Sequence, residues 1–249
     1  AIYALAISPD SAILATGSYD QKIKLWKVET GQEIRTFSGH NGCVFDLAFS
    51  PDGKLLASAS ADRTIKLWDV ASGERRDTLS QPLKEQYCLA FSPDGKRLYA
   101  GGADNRIRVW QISEAATETT NPILEAKFAH EGAVLNLVFS PDGKTLLSSA
   151  DDRTVKLWDA TGELKEKLLL EKQPDWPPAL TFANEGKTAV VGRLDGSLGF
   201  YDLAAGAPVA APKPELQRAE PRGLQRGAMH KLKLIGANLA SLTELKLHH

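Results

Sequence analysis

In the segment SPDGKLLASASADRTIKLWDV, residues 50–70, Ser58 and Asp62 stand four positions apart, and His40 lies upstream of both. A serine, a histidine and an aspartate are the parts of a nucleophile, its base and the group that orients the base, the chemistry of acyl transfer. A second set, His130, Ser148 and Asp152, follows ninety residues later. A nucleophile must be exposed beside donors that stabilise the developing oxyanion. One active site per chain is the usual arrangement, and a duplicated set points instead to a repeated structural part.

Other chemistry has less to stand on. The two cysteines, Cys43 and Cys88, form no CxxC or CxxCH arrangement, so a disulfide-rich scaffold and an attached c-type haem are both excluded. His248 and His249 end the chain, but a metal site needs three or four converging ligands, and no other His or Cys has matching spacing. No metal and no cofactor are expected. The chain has 249 residues, 43% hydrophobic and 24% charged, with a formal net charge of -1. That is a globular composition with room for a sizeable core and no electrostatic bias toward nucleic acid or an anionic membrane. No apolar run reaches the roughly 20 residues that span a bilayer.

The elements that position these residues repeat. SPDG occurs at Ser50, Ser92 and Ser140, with a variant SPDS at Ser8 and an eroded ANEG at Ala183, at intervals of 42, 42, 48 and 43. Twelve residues after each start comes an aspartate: Asp20, Asp62, Asp104, Asp152 and Asp195. Six residues after each aspartate comes an aromatic: Trp26, Trp68, Trp110, Trp158 and Tyr201. The six extra residues of the third copy fall in SEAATETTNPIL, a polar stretch that reads as a lengthened loop.

Each copy reads as four short strands. In the second, VFDLAFS, LLASAS, TIKLWDV and RRDTLS are separated by turn signals at SPDGK, ADR and SGE. Strands broken by turns every 8–12 residues mean antiparallel β structure, and helical periodicity is absent across residues 1–212. A unit of about 42 residues cannot bury both faces alone, so the copies must pack on each other.

The stretches KLW, KLWD and RVWQ on the third strand, GSYD, SASAD and GGAD before the second turn, and SGH at 38–40 resemble the WD-repeat family of β-propellers. The resemblance covers about 1–212 and implies five four-stranded blades, about 1–38, 39–80, 81–128, 129–171 and 172–212. In that family a His, a Ser or Thr, an Asp and a Trp form a hydrogen-bonded chain inside a blade. The matching positions here are His40, Ser58, Asp62 and Trp68, and His130, Ser148, Asp152 and Trp158. The chain is chemically sound: the indole only donates, the carboxylate accepts, and hydroxyl and imidazole do both. Partial sets remain in the other copies: Asp20 and Trp26 in the first, whose His position would precede Ala1, and Asp104 and Trp110 in the third, with Pro82 and Ala100 at the His and Ser positions. The fifth has Gln173, Val191 and Tyr201.

The resemblance also implies a binding surface on the narrow top face. One set of rim positions is Tyr3, Phe45, Tyr87, Leu135 and Pro178; a second is Tyr19, Ala61, Ala103, Asp151 and Leu194; Cys43, Glu85, Ala133 and Trp176 lie two residues before the first set. Tyr3, Tyr19, Phe45, Tyr87 and Trp176 would form an aromatic rim, and aromatics anchor interfaces. Phe45 and Leu135 could equally be core, and Trp176 could plug a divergent blade.

Propellers have about 4–8 blades. Five copies predict an open arc of a truncated larger propeller, with a closed five-bladed ring as the alternative. Residues 213–249 read as a linker, with six Lys or Arg and two Glu over 213–233, followed by strands in HKLKLIGANL and TELKL. PRGLQRG and LIGANL resemble the opening of an immunoglobulin-like domain, incomplete at this length. The favoured function is a non-catalytic scaffold that binds a protein or peptide on the propeller top face, within a bacterial multidomain protein. The alternative is an accessory propeller of a larger enzyme or c-type cytochrome-linked electron-transfer protein. A periplasmic or secreted location is implied by the family resemblance alone.

Overall fold

The computed structural model describes residues 1–113 and 121–211, and two further strands at 215–220 and 233–237. These residues contain no α-helix; apart from a three-residue 3-10 turn at Asn184–Gly186, their regular structure is all β. The chain divides into two compact units, Ala1–Pro208 and Val209–His249.

The first unit is five four-stranded antiparallel sheets, each wound in chain order. Blade 1 holds β1 (Ile2–Ile7), β2 (Ile13–Ser18), β3 (Ile23–Lys27) and β4 (Glu33–Phe37). Blade 2 holds β5 (Val44–Phe49), β6 (Leu55–Ser60), β7 (Ile65–Asp69) and β8 (Arg75–Leu79). Blade 3 holds β9 (Gln86–Phe91), β10 (Arg97–Gly102), β11 (Arg106–Gln111) and β12 (Ile123–Phe128). Blade 4 holds β13 (Val134–Phe139), β14 (Thr145–Ala150), β15 (Val155–Asp159) and β16 (Lys165–Leu169). Blade 5 holds β17 (Ala179–Ala183), β18 (Thr188–Gly192), β19 (Leu198–Asp202) and β20 (Ala207–Pro208). The lengthened stretch of the third copy is only partly loop, since Ile123 and Leu124 open β12; residues 114–120 lie outside the described residues.

The core sits between blades, because a four-stranded sheet is apolar on both faces. At the first junction Ala15, Ile23, Leu25 and Phe37 of blade 1 meet Leu47, Leu56 and Trp68 of blade 2. The Phe37 ring stacks on Trp68, with centroids 5.3 Å apart and planes at 15°. Side chains on the innermost strands add polar ties across junctions. Asp46 accepts the Leu89 N–H at 2.7 Å, and Asn136 donates to the Pro178 carbonyl at 2.9 Å.

The arc is open. The innermost strands pack in the order β1, β5, β9, β13, β17, and among the described residues no comparable packing joins β17 to β1. The blade 1 positions matching the covered Val44, Leu47, Phe49 and Val70 are Ile2, Leu5, Ile7 and Val28, all exposed; Leu5 is 65% exposed, against 5% for Leu47. The expected alternative of a closed five-bladed ring is thereby excluded.

The SPDG turns have two structural duties. Within a blade, the Ser50 hydroxyl donates to Asp52 (2.6 Å) and accepts the Leu55 N–H (2.9 Å), while Gly53 takes a φ of +73°. Between blades, each proline faces the glycine of the next turn: Pro9 faces Gly53, Pro51 faces Gly95, Pro93 faces Gly143, and Pro141 faces Gly186. Each of the two eroded copies lacks one partner of this contact. Blade 5 keeps Gly186, which receives Pro141, and has Asn184 where a proline would face a further blade. Blade 1 keeps Pro9, which faces Gly53, and has Ser11 at φ +60° where a glycine would receive one.

In the second unit β21 (Glu215–Glu220) pairs antiparallel with β22 (Lys233–Ala237). β22 falls within the expected strand HKLKLIGANL, but its partner comes from the stretch read as linker. TELKL, His248, His249 and most of the proposed immunoglobulin-like segment lie outside the described residues.

The proline–glycine contact separates two matched substitutions. Gly53 and Gly143 share a φ near +70°, so an alanine at either loses about 1 kcal/mol from the backbone alone. A methyl group would stand 3.6 Å from Pro9 at Gly53 but 2.7 Å from Pro93 at Gly143. Gly143→Ala should therefore lower the urea midpoint further than Gly53→Ala, by an extra ~1–2 kcal/mol of overpacking. Equal losses would mean the junction yields freely.

Candidate functional site

The two complete His–Ser–Asp–Trp sets come together inside their blades. In blade 2 the Trp68 indole N–H donates to Ser58 Oγ (2.9 Å), Ser58 Oγ meets His40 Nε2 (2.7 Å), and His40 Nδ1 meets Asp62 Oδ2 (2.8 Å). Donor supply fixes the direction: the serine proton goes to Nε2, and Nδ1–H goes to the carboxylate. In blade 4 Trp158 donates to Ser148 (2.8 Å) and Ser148 meets His130 Nε2 (2.7 Å). There His130 Nδ1 bonds the Thr154 hydroxyl (2.6 Å), which donates to Asp152 Oδ1 (2.6 Å), so a threonine is inserted between imidazole and carboxylate. Thr64 holds Asp62 in the same way, at 2.6 Å. Both threonines follow Asp-Arg, a signal present in the sequence whose role the repeat spacing alone did not reveal.

The aspartates also close the chain around themselves. Asp62 accepts the Asn41 N–H and Asp152 the Glu131 N–H, each at 2.9 Å. Such an approach excludes a side chain on the next residue. A methyl group on Gly42 would lie 2.7 Å from Asp62 N, and one on Gly132 2.6 Å from Asp152 N.

This geometry does not suit nucleophilic catalysis. Ser58 and Ser148 are fully buried, each sharing its oxygen with an indole donor. Burial also shapes the titration. It pushes His40 below the ordinary histidine value against the pull of Asp62, and takes His130 down to about 4. Burial alone would raise Asp62, but hydrogen bonds from His40 and Thr64 more than offset it and hold the carboxyl well below its usual range.

The partial sets are rewired. In blade 1 Trp26 donates to Thr16 (3.0 Å), while Asp20 caps its own turn through the Lys22 N–H (3.1 Å). In blade 3 Asp104 and Trp110 do not join one chain. Pro82 and Ala100 supply neither imidazole nor hydroxyl, so Asp104 pairs with the buried Arg108 at 2.5 Å and Trp110 donates to Gln81 Oε1 at 3.2 Å. In blade 5 Arg193 takes over: it donates to Gln173 Oε1 (2.9 Å) and to the Tyr201 hydroxyl (3.0 Å), and Tyr201 donates to Gln173 (3.1 Å). Val191 takes no part in these bonds, and Asp195 accepts only within its turn, from Ser197 N–H at 2.8 Å.

The rim positions share one construction. The backbone N–H of the second set donates to the carbonyl two residues before the first: Tyr19 to Ala1, Ala61 to Cys43, Ala103 to Glu85 and Leu194 to Trp176 at 2.9 Å, and Asp151 to Ala133 at 3.0 Å. The innermost strands of blades 1–4 each carry a β-bulge, and the extra residues are Tyr3, Phe45, Tyr87 and Leu135. A bulge leaves one residue unpaired and re-aims its side chain. Blade 5 has no bulge; Pro178 precedes β17 and Ala179 opens it.

Three of the bulged residues and Tyr19 form a continuous aromatic run over three blades. Ring centroids lie 6.4 Å apart for Tyr19–Tyr3, 5.9 Å for Tyr3–Phe45 and 5.3 Å for Phe45–Tyr87. Tyr3 and Tyr19 are exposed, Phe45, Tyr87 and Leu135 half-buried, so Phe45 and Leu135 are not interior core. Trp176 is 51% exposed and makes no ring contact with the run among the described residues. Glu85 and Asp151 are half-buried, and Asp151 Oδ1 accepts the Ala133 N–H at 2.8 Å. Burial, then Glu85 and Asp151, raises the Tyr87 phenol above its ordinary value.

A cleft of 620 Å³ lies at the opposite edge, between the SPDG turns of blades 3 and 4. Its charges are mixed, with Asp94, Asp142, Lys96 and Arg97, and Arg97 is engaged with the Gly162 carbonyl at 3.0 Å. Among the described residues no group of three His, Cys, Asp or Glu could hold a metal ion, and no helix is long and apolar enough to cross a membrane.

The His130 chain predicts a pH signature. A histidine at about 4 in the fold and near 6.5 when unfolded contributes fully above 6.5 and loses its contribution as pH falls toward 4, up to ~3 kcal/mol. Gln173 shows that glutamine fits the equivalent position. The stability difference between wild type and His130→Gln should therefore shrink from pH 7 to pH 4; a constant difference would mean the imidazole is not held neutral by burial.

Three similarities to known proteins are each about as long as one repeat or shorter. The chain is 53% identical over 36 residues to nuclear distribution protein PAC1-2 of Postia placenta, covering 14% of this chain and 8% of that protein. It is 44% identical over 43 residues to U3 snoRNP-associated protein-like YAOH of Oryza sativa, covering 17% and 8%. It is 70% identical over 27 residues to the probable E3 ubiquitin ligase complex SCF subunit sconB of Arthroderma benhamiae, covering 11% and 4%. The chain thus spans less than a tenth of the length of each of these relatives. A far longer match comes from the family model described as IFT122 first beta-propeller, which spans residues 1–213. With five antiparallel blades wound in chain order, the chain belongs to this family of WD40-type β-propellers.

Proposed function

We propose that the chain is a non-catalytic interaction scaffold whose protein partner seats on the rim formed by the bulged innermost strands. The observation that carries this reading is the aromatic run Tyr19–Tyr3–Phe45–Tyr87, with two of its rings exposed and two half-buried. Exposed aromatics in a row are costly in water and are the side chains that most often anchor a partner. The fold supplies rigidity for three of the rings, since Tyr3, Phe45 and Tyr87 stand on innermost strands that pack on one another, β1 on β5 and β5 on β9, while Tyr19 follows β2 in a turn.

Two further observations support the reading. Propellers of this family are generally non-catalytic scaffolds, and two relatives carry names that refer to assemblies, one a U3 snoRNP-associated protein-like protein and the other a probable subunit of an SCF E3 ubiquitin ligase complex. The matched relatives lend no support to the alternative of an accessory domain in a bacterial enzyme or cytochrome-linked protein.

The test is capture of partners by the complete protein, compared with a variant carrying Tyr19→Ala, Tyr87→Ala and Trp176→Ala. These side chains are exposed or half-buried, so the fold should survive, as circular dichroism would verify. Partner affinity should fall at least ~100-fold, about 3 kcal/mol, if two of the three are anchors. Unchanged binding would remove the rim from the function.

A further inference from the structure

The rim is chemically one-sided. Apart from its aromatics, most of its side chains are small or aliphatic, and the two that carry charge, Glu85 and Asp151, are both acidic. They come from different blades, 3 and 4, and stand at the starts of neighbouring innermost strands that pack on each other: Glu85 directly precedes β9, and Asp151 is bonded to Ala133, which directly precedes β13. Glu85 stands two residues before the bulged Tyr87, and Asp151 hangs from the next blade through its bond to Ala133 N–H. Tyr87 in turn touches Phe45 edge-on at 77°. Two half-buried carboxylates on neighbouring blades at the end of an aromatic run favour a cation with an apolar stem, which gains Coulombic attraction and the negative face of a ring together.

Basic residues lie one step further out. Arg63 and Arg153 occupy the turns two residues beyond Ala61 and Asp151, and Lys84 adjoins Glu85. Arg153 is engaged with the Pro174 carbonyl at 3.3 Å. Cations outside and carboxylates inside would orient a peptide so that its own basic residue enters the centre.

Resting on the rim as the binding face, we propose that its partner is a protein segment presenting one arginine or lysine among apolar residues, with the cation seated between Glu85, Asp151 and the Tyr87 ring and the apolar neighbours lying along Phe45 and Tyr3. Acidic segments are rejected by the same two carboxylates.

Three probe peptides decide it on the full chain: acetyl-Leu-Phe-Arg-Leu-amide and the versions with norleucine or glutamate in place of arginine. Binding is read by NMR shifts or by quenching of tyrosine and tryptophan fluorescence. The arginine peptide should bind about tenfold or more tighter than the norleucine peptide, with an advantage that falls as salt rises. Glu85→Gln combined with Asp151→Asn should collapse that advantage to within about twofold and leave the norleucine peptide unchanged. The Asp151→Asn change retains a side-chain oxygen to accept the Ala133 N–H, so the variant keeps its fold. Equal binding of all three peptides, tighter binding of the glutamate peptide, or no binding at millimolar concentration would each overturn the inference. If partner capture remains sensitive to the Tyr19, Tyr87 and Trp176 substitutions in those cases, the rim stands as the binding face and only its cation preference is wrong.

Discussion

The indole N–H of a buried tryptophan can only donate, and much of the propeller follows from meeting that demand. Trp68 is pressed flat against Phe37 of the preceding blade, out of reach of water, so its N–H must find an acceptor inside the sheet. Ser58 accepts it, His40 takes the serine proton, and Asp62 receives the imidazole N–H and ties down the loop after His40. One apolar contact between blades thereby fixes a strand, a turn and a loop on a single edge of the blade. That edge is the one that carries the rim.

Blades 2 and 4 both meet the demand with a serine, and the bonds around the third-strand aromatic otherwise differ from blade to blade. Thr154 enters the relay in blade 4, Gln81 receives Trp110 in blade 3, and Arg193 organises Gln173 and Tyr201 in blade 5. What persists is that the aromatic on the third strand has a polar partner. Catalysis would need a serine that reaches a substrate, and burial that makes the relay stable withholds it.

Much of this was legible in the sequence, and the limits are physical. The period of about 42, the Asp-to-aromatic spacing of six and the turn signals specify five antiparallel blades, because they act locally or within one repeat. The members of the His40 and His130 sets came from the family resemblance, which did not include the Thr154 that stands between His130 and Asp152. The Asp104–Arg108 pair and the Arg193 network were not, since each replaces a lost residue with a partner of different type from elsewhere in the blade. The bulges at Tyr3, Phe45, Tyr87 and Leu135 leave no residue signature, yet they lift the aromatics into one row. The pairing of β21 with β22 drew on a stretch whose polar composition read as linker.

Whether a partner covers the bulged rim is read by amide hydrogen exchange of the complete protein with and without bound partner. Protection should appear at residues 1–4, 43–46 and 85–88 and in the turns near Tyr19 and Ala103, with the SPDG turns at Ser50, Ser92 and Ser140 unchanged. Protection concentrated on those SPDG turns, around the cleft between blades 3 and 4, would place the binding face at the opposite edge of the arc and remove it from the rim.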